Sequence, residues 1–275
     1  MCSRRSTTTR EFSNNFSVQF IVIRHTLTLA MKRYRERNNY CAQQLWKLME
    51  SSCRLDFIFI TAYFLYMKTF YFIRHGESHA NRSFYLQQTG DTPLTKKGIR
   101  QAQEAGRHLK RLNVQGIISS TFARAKATAE EIGRETGVPI EYSELLVERR
   151  RPGIQLAKPK LHPSWLWAQT KLALFSKREG YRHSDEETPT EQLERADAVL
   201  KLLANRPEEY LIVVTHGRFM RAIYAHIILG DGLTAHAYLR LTRTLRMRNT
   251  ALMVATYEES AGWTVTAWDM HAHEL

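Results

Sequence analysis

An α/β fold, a three-layer α/β/α sandwich around a mainly parallel sheet, is what this sequence predicts, and three observations carry the prediction. Apolar, β-prone runs at 68–73, 116–119 and 211–215 each lead into polar or charged residues, the form of strands buried on both faces. Stretches with helical apolar spacing lie between them, and alternation of strand with helix is the mark of a layered parallel sheet. The chain from Met67 to its end suits one α/β domain with a sizeable core.

The elements follow in order. The run 68–73 opens the domain as a buried strand. A helix is expected over 95–112, with Thr95 as its cap and Ile99, Ala102, Ala105, Gly106 and Leu109 on one face. After the strand at 116–119, a second helix spans 124–136 and is ended by Gly137 and Pro139. A third covers 190–205 and stops before Pro207. The strand at 211–215 runs into a helix-like stretch, and strands at 251–257 and 264–269 close the domain. No internal repeat or low-complexity tract appears.

Chemistry is expected where the strands end. Phe70-Tyr71-Phe72-Ile73 runs straight into Arg74-His75-Gly76-Glu77, and Leu211-Ile212-Val213-Val214 into Thr215-His216-Gly217. Between them, Gly116-Ile117-Ile118 leads into Ser119-Ser120-Thr121 and then Arg124. Open α/β sheets bind ligands at the carboxyl ends of their strands. Two histidines and two arginines placed there suit a dianionic phosphoryl group, because arginine forks match its oxygens and a neutral imidazole can attack phosphorus.

These motifs resemble the histidine phosphatase superfamily, the group that is phosphoglycerate mutase-like, over about residues 67–275. Arg74-His75-Gly76-Glu77-Ser78 with Asn81 matches its signature, and Asp91-Thr92-Pro93-Leu94-Thr95 with Gly98 the segment that follows. Arg124-Ala125 with Thr128-Ala129-Glu130 matches the central arginine motif, Leu146-Val147-Glu148 the acid motif, and Thr215-His216-Gly217 the second histidine motif. One tetrapeptide alone is weak, but five in the family's order are specific.

The resemblance implies a role for each residue. His75 is the expected nucleophile, forming a phosphohistidine; Arg74, Arg124 and His216 are expected to hold the phosphoryl oxygens, with Asn81 as an additional donor. Glu148 is the expected acid and base. Arg149, Arg150 and Arg151 follow it directly, and neighbouring cations favour a carboxylate over the protonated acid that the role needs. A second anionic group on the substrate is another destination for those arginines. Glu144 and Glu141 are the substitute acids, although neither has the Leu-x-Glu context. No metal and no cofactor are expected, since the cationic groups supply the neutralisation.

Other residues read more plainly. His271-Ala272-His273 has metal-ligand spacing but no accompanying carboxylate or cysteine cluster, so a solvated tail is preferred. His79, His108, His162, His183, His226 and His236 read as surface or locally bonded. Arg240, Arg243, Arg246 and Arg248 read first as a solvated face, with grip on an anionic substrate as the alternative. Asn249-Thr250 resembles a family position before the last strand. The 152–189 segment carries Trp165, Trp167, Phe175, Tyr181 and Lys177-Arg178; the resemblance makes it the region that varies with substrate. Its tryptophans are read as core in preference to an apolar lid.

Residues 1–66 read as a poorly ordered basic N-terminal extension that need not belong to the native protein, with Met67-Lys68-Thr69 a natural start. Ten Lys and Arg against four Asp and Glu in that extension leave +7 of the net +13 for the remainder. All three cysteines, Cys2, Cys41 and Cys53, lie there, so no disulfide framework is predicted. The apolar run 57–66 comes too late for a secretory signal and is too short for a bilayer, which takes about 20 residues. Stable membrane insertion is therefore not expected, a membrane-associating leader being the lesser alternative, and a cytoplasmic location is. The functional expectation is a metal-independent phosphatase acting on a small phosphorylated metabolite. A phosphomutase and a non-catalytic anion- or protein-binding module are the alternatives; retention of all five motif residues counts against the module. Nucleic acid is not an expected partner, half the excess charge lying outside the domain. Oligomeric state is not legible.

Overall fold

The computed structural model describes residues 67–82, 90–150, 162–163, 166–167, 170–171, 182 and 185–274. The expected N-terminal extension lies outside them, as do Arg151, Trp165, Phe175, Lys177, Arg178, Tyr181 and His183.

Strand β1 (Lys68–Arg74) is followed by the short helix α1 (His79–Arg82), helix α2 (Lys96–Leu109), β2 (Gly116–Ser120), α3 (Ala123–Thr136) and β3 (Ile140–Ser143). Then come α4 (Pro189–Ala204), β4 (Tyr210–Thr215), α5 (Gly217–Leu229), α6 (Ala235–Thr244), β5 (Leu252–Glu258) and β6 (Gly262–Met270). The six strands form one mixed sheet in the order β3-β2-β4-β1-β5-β6. β3, β2, β4 and β1 run parallel, and β5 and β6 add an antiparallel hairpin at β1's edge.

The sheet is sandwiched, as the unbroken apolar runs require. Along β1, Phe70 and Phe72 face the core under α4 and α5, while Tyr71 and Ile73 face the core under α2 and α3. Period-two alternation is invisible in the sequence because both faces are buried. α2 begins at the expected Thr95, whose hydroxyl accepts from the Gly98 N–H. α4 begins earlier than expected, at Thr188, through a capping box with Glu191 and Pro189 in the first turn.

Four features depart from expectation. β3 was hidden by its polar sequence, IEYS, and lies at the sheet's edge. α6 carries Arg240 and Arg243 and was hidden in what read as a charge run; all four arginines of that run are exposed. The C-terminal tail is not simply solvated, because Ala272 is buried with Ala105 and Leu109 of α2. Trp167 is not core as expected: it is 60% exposed, with Lys171 over its ring.

Candidate active site

Adjacent parallel strands bring the two histidines together. Arg74 at the end of β1 is level with Thr215 at the end of β4, so His75 and His216 leave the sheet side by side. The His75 N–H continues the ladder to the Thr215 carbonyl at 3.0 Å, and the two imidazole centroids are 5.1 Å apart. β2 ends on the other flank of β4 and delivers Ser120, whose Oγ lies 2.8 Å from His216 Nε2. α3 starts directly after β2 and carries Arg124 in its first turn, buried, with its guanidinium over the Phe122 ring.

The turn after His75 depends on glycine. A Cβ on Gly76 would sit 2.4 Å from the Gly98 carbonyl oxygen, and one on Gly98 only 2.0 Å from the Glu77 carbonyl oxygen. The signature loop and the first turn of α2 therefore pack backbone against backbone. Thr95 fastens the crossing: its N–H donates to the Glu77 carbonyl at 2.8 Å and its hydroxyl to the Glu77 carboxylate at 2.9 Å. Gly76 N–H donates to Thr128 Oγ1, which in turn donates to the Arg124 carbonyl, so the loop and α3 move as one.

Hydrogen bonding decides which nitrogen of His75 carries the lone pair. Nδ1 is 2.7 Å from the Gly76 carbonyl oxygen, which can only accept, so Nδ1 carries the proton and Nε2 the lone pair. Burial, then the charges of Arg124 and Arg74, holds the imidazole well below its ordinary pKa of 6.5. His216 is lowered in the same way, by burial first, then by Arg124, His75, Arg74 and Arg195. Both rings are thus neutral at physiological pH. His216 Nδ1 is buried with no hydrogen-bond partner among the described residues, as is Arg74 Nε.

A clasp from the segment before β5 holds the end of β1. Arg74 Nη1 donates to the Met247 carbonyl at 2.5 Å, its backbone oxygen accepts from Thr250 N–H, and Asn249 Nδ2 donates to the His75 carbonyl at 3.0 Å. Thr250 takes a positive φ of 57° to make this turn. Asn249 also reaches Asn81 Oδ1, which accepts in addition from the N–H and hydroxyl of Ser78. The Asn81 carbonyl is thereby fully engaged, which turns its amide donors outward.

Glu148 lies across the mouth from these groups, half-buried. Its carboxylate accepts from the N–H groups of Phe219 at 3.2 Å, Arg218 at 3.4 Å and Arg149 at 3.0 Å. Two of these belong to the first turn of α5, so Glu148 caps the helix that His216 starts. Among the described residues that follow, Arg149 and Arg150 turn their side chains elsewhere. Arg149 Nε donates to the Glu187 carbonyl at 3.2 Å and Arg150 Nε to the Asp185 carbonyl at 2.7 Å. The substitute acids fall away: Glu141 pairs with Arg206 at the surface, and Glu144 is exposed.

Arg74, His75, Asn81, Arg124, Glu148 and His216, all expected from sequence, converge on one site. Ser120 and the clasp at 247–250 were not assigned to it. Ser119-Ser120 at a strand end was the available signal for the first; the second had only Asn249 to mark it, since carbonyls of any residue type can hold an arginine.

An α/β sandwich that gathers two histidines and two arginines at neighbouring strand ends offers a cationic site suited to a phosphoryl group. The family comparison agrees: the model of the histidine phosphatase superfamily (branch 1) matches residues 70–271, and the chain belongs to that superfamily. It is 30% identical over 210 residues to a Salmonella arizonae protein named probable phosphoglycerate mutase GpmB, a match covering 72% of this chain and 88% of that one. Bacillus stearothermophilus YhfR superposes with a TM-score of 0.62 at 25% identity, over 75% of this chain and 98% of its own. A mycobacterial glucosyl-3-phosphoglycerate phosphatase solved with VO3 gives 0.59 at 22% identity, over 74% and 99%. The superfamily holds both phosphatases and mutases.

Proposed function

We propose that this protein is a metal-independent phosphoric monoester hydrolase working through a phosphohistidine on a small phosphorylated metabolite. The observation that carries the reading is the fixed tautomer of His75, which leaves Nε2 unprotonated beside the charges of Arg124 and Arg74. Nε2 attacks phosphorus and the P–O ester bond breaks as Glu148, entering protonated, gives its proton to the departing oxygen. Arg74, Arg124 and Asn81 hold the equatorial oxygens. His216 adds a donor through Nδ1–H when the Ser120 hydroxyl donates to its Nε2. Glu148, now a carboxylate, takes a proton from water; the hydroxide displaces the Nε2–P bond, releasing phosphate and restoring both residues.

A cytoplasmic location belongs to the same proposal, since charged phosphate esters do not cross membranes freely; among the described residues no helix is long and apolar enough to span one. The test is phosphate release from a panel of phosphorylated metabolites, without added metal, by the full chain and by His75→Ala. Turnover lost on the order of 10⁴-fold or more in the variant is expected. Turnover that survives the substitution would remove His75 as nucleophile. The Salmonella relative named as a mutase favours a second reading, in which the phosphoryl group is returned to the substrate. Interconversion of phosphoglycerates outpacing phosphate release would establish it.

A further inference from the structure

Residues 147–150 have no regular structure, yet the chain on both sides of Glu148 is tied to a single ion pair. On the N-terminal side, Arg195 of α4 donates from Nη1 to the carbonyls of Leu145 at 2.8 Å and Val147 at 2.7 Å. The carbonyl between them, that of Leu146, accepts from the Thr215 hydroxyl at 2.6 Å. On the C-terminal side, the Glu187 carbonyl accepts from Arg149 Nε, and the Glu187 N–H donates to the Arg150 carbonyl at 3.0 Å. Arg195 and Glu187 are joined to each other by two parallel bonds, Nε to Oε1 at 2.7 Å and Nη2 to Oε2 at 2.8 Å.

The same guanidinium lies over the Phe219 ring, 3.9 Å from its centroid, and the Phe219 N–H is one of the donors that hold the Glu148 carboxylate. Arg195 thus touches the backbone that carries Glu148 and a residue whose N–H donates to its carboxylate. Only a planar fork with five donors can bind a carboxylate with one edge, two carbonyls with the other, and an aromatic ring with its face. The pair is mostly withdrawn from water, at 15% and 11% side-chain exposure, so the geometry is held firmly.

We propose that Arg195, supported by Glu187, is the positioning residue of Glu148: it fixes where the proton is delivered and touches neither phosphate nor nucleophile. This rests on the reading of Glu148 as acid and base. An acid that is misplaced slows expulsion of a poor leaving group and spares a good one, whereas general loosening of the fold slows both.

The experiment compares Arg195→Lys, Glu187→Gln and Glu148→Gln with the parent. Phenyl phosphate turnover needs the acid, while the burst of nitrophenolate from 4-nitrophenyl phosphate reports attack by His75 with little need of it. Arg195→Lys or Glu187→Gln is expected to slow the first about tenfold or more and the burst less than about threefold, in the pattern of Glu148→Gln. Glu187→Gln keeps the side-chain volume, so it supplies the test where Arg195→Lys does not fold. Amide exchange read in the same proteins needs no turnover: Arg218 and Phe219 are expected to lose protection as they do in Glu148→Gln, with β1 and β4 unchanged. Equal losses in both reactions, or unchanged protection at Arg218 and Phe219, would overturn the proposal. Loss of selectivity in Glu148→Gln itself would instead overturn the acid role on which it rests.

Discussion

Acidification should destabilise this protein through the two histidines it buries at the site, and the size of the effect follows from the structure. His75 is 3% exposed and His216 not at all, and both are held well below pKa 6.5, by burial first and Arg124 next. In the unfolded chain each takes up a proton near pH 6.5; in the native state each stays neutral until a much lower pH. Below 6.5 the unfolded state therefore binds more protons, and stability falls as pH falls from 6.5 toward the folded pKa values. Each histidine contributes at most about 1.4 kcal/mol per pH unit, so the pair costs up to about 2.5 kcal/mol between pH 6 and pH 5. His75→Gln removes one titration and should cut that difference by about 1.2 kcal/mol. Urea unfolding of parent and variant at half-unit steps from pH 5 to 6.5 measures it. Parallel pH dependences would refute the reasoning, because they would mean that His75 titrates alike in the folded and unfolded states.

Ser120→Ala leaves a fully buried His216 without a partner on either nitrogen, and should cost about 1–3 kcal/mol with a fall in kcat; a parent-like melting temperature would contradict the assigned bond. Gly98→Ala drives a Cβ to 2.0 Å from the Glu77 carbonyl and should cost on the order of 3–5 kcal/mol or prevent folding. Gly137→Ala, at φ 76° with open space around it, should cost only about 1–2 kcal/mol. Denaturant midpoints check the pair, and equal losses would mean that backbone clash is not what sets the first.

The sheet strands were legible where burial on both faces made them continuous apolar runs, as in Phe70 to Ile73 and Leu211 to Val214. β3 was not, because an edge strand with exposed Glu141 and Tyr142 has no such run to show. α6 was masked by arginines that all point outward, its single fully buried side chain being Tyr238. At the site, chemistry-bearing side chains could be named in advance because motif order fixed them. What held them could not: the Met247 and Gly76 carbonyls that orient Arg74 and His75 are backbone atoms with no signature in residue type. Arg149 and Arg150 misled for the same reason, since their side chains find the carbonyls of Glu187 and Asp185 and not the neighbouring carboxylate.

Charge placement explains why the site can keep an acid beside an anion-binding centre. Arg124 is buried and Arg74 half-buried, each disfavoured in its charged form by removal from water and favoured by Glu148 nearby. With both histidines neutral, these two cations match a phosphoryl dianion in charge. Had Glu148 been seated by an arginine side chain, that match would be broken and the carboxylate pinned by a second full charge. The fold seats it on backbone N–H groups at the start of α5 instead, which orient the oxygens at partial charge. The same helix start is set by His216, so the donor that meets the phosphoryl group and the cap that aims the acid are fixed by one turn of chain. On the proposed roles of Glu148 and His216, leaving-group protonation and oxyanion binding are in this way aligned by covalent connection, while their charges stay separate.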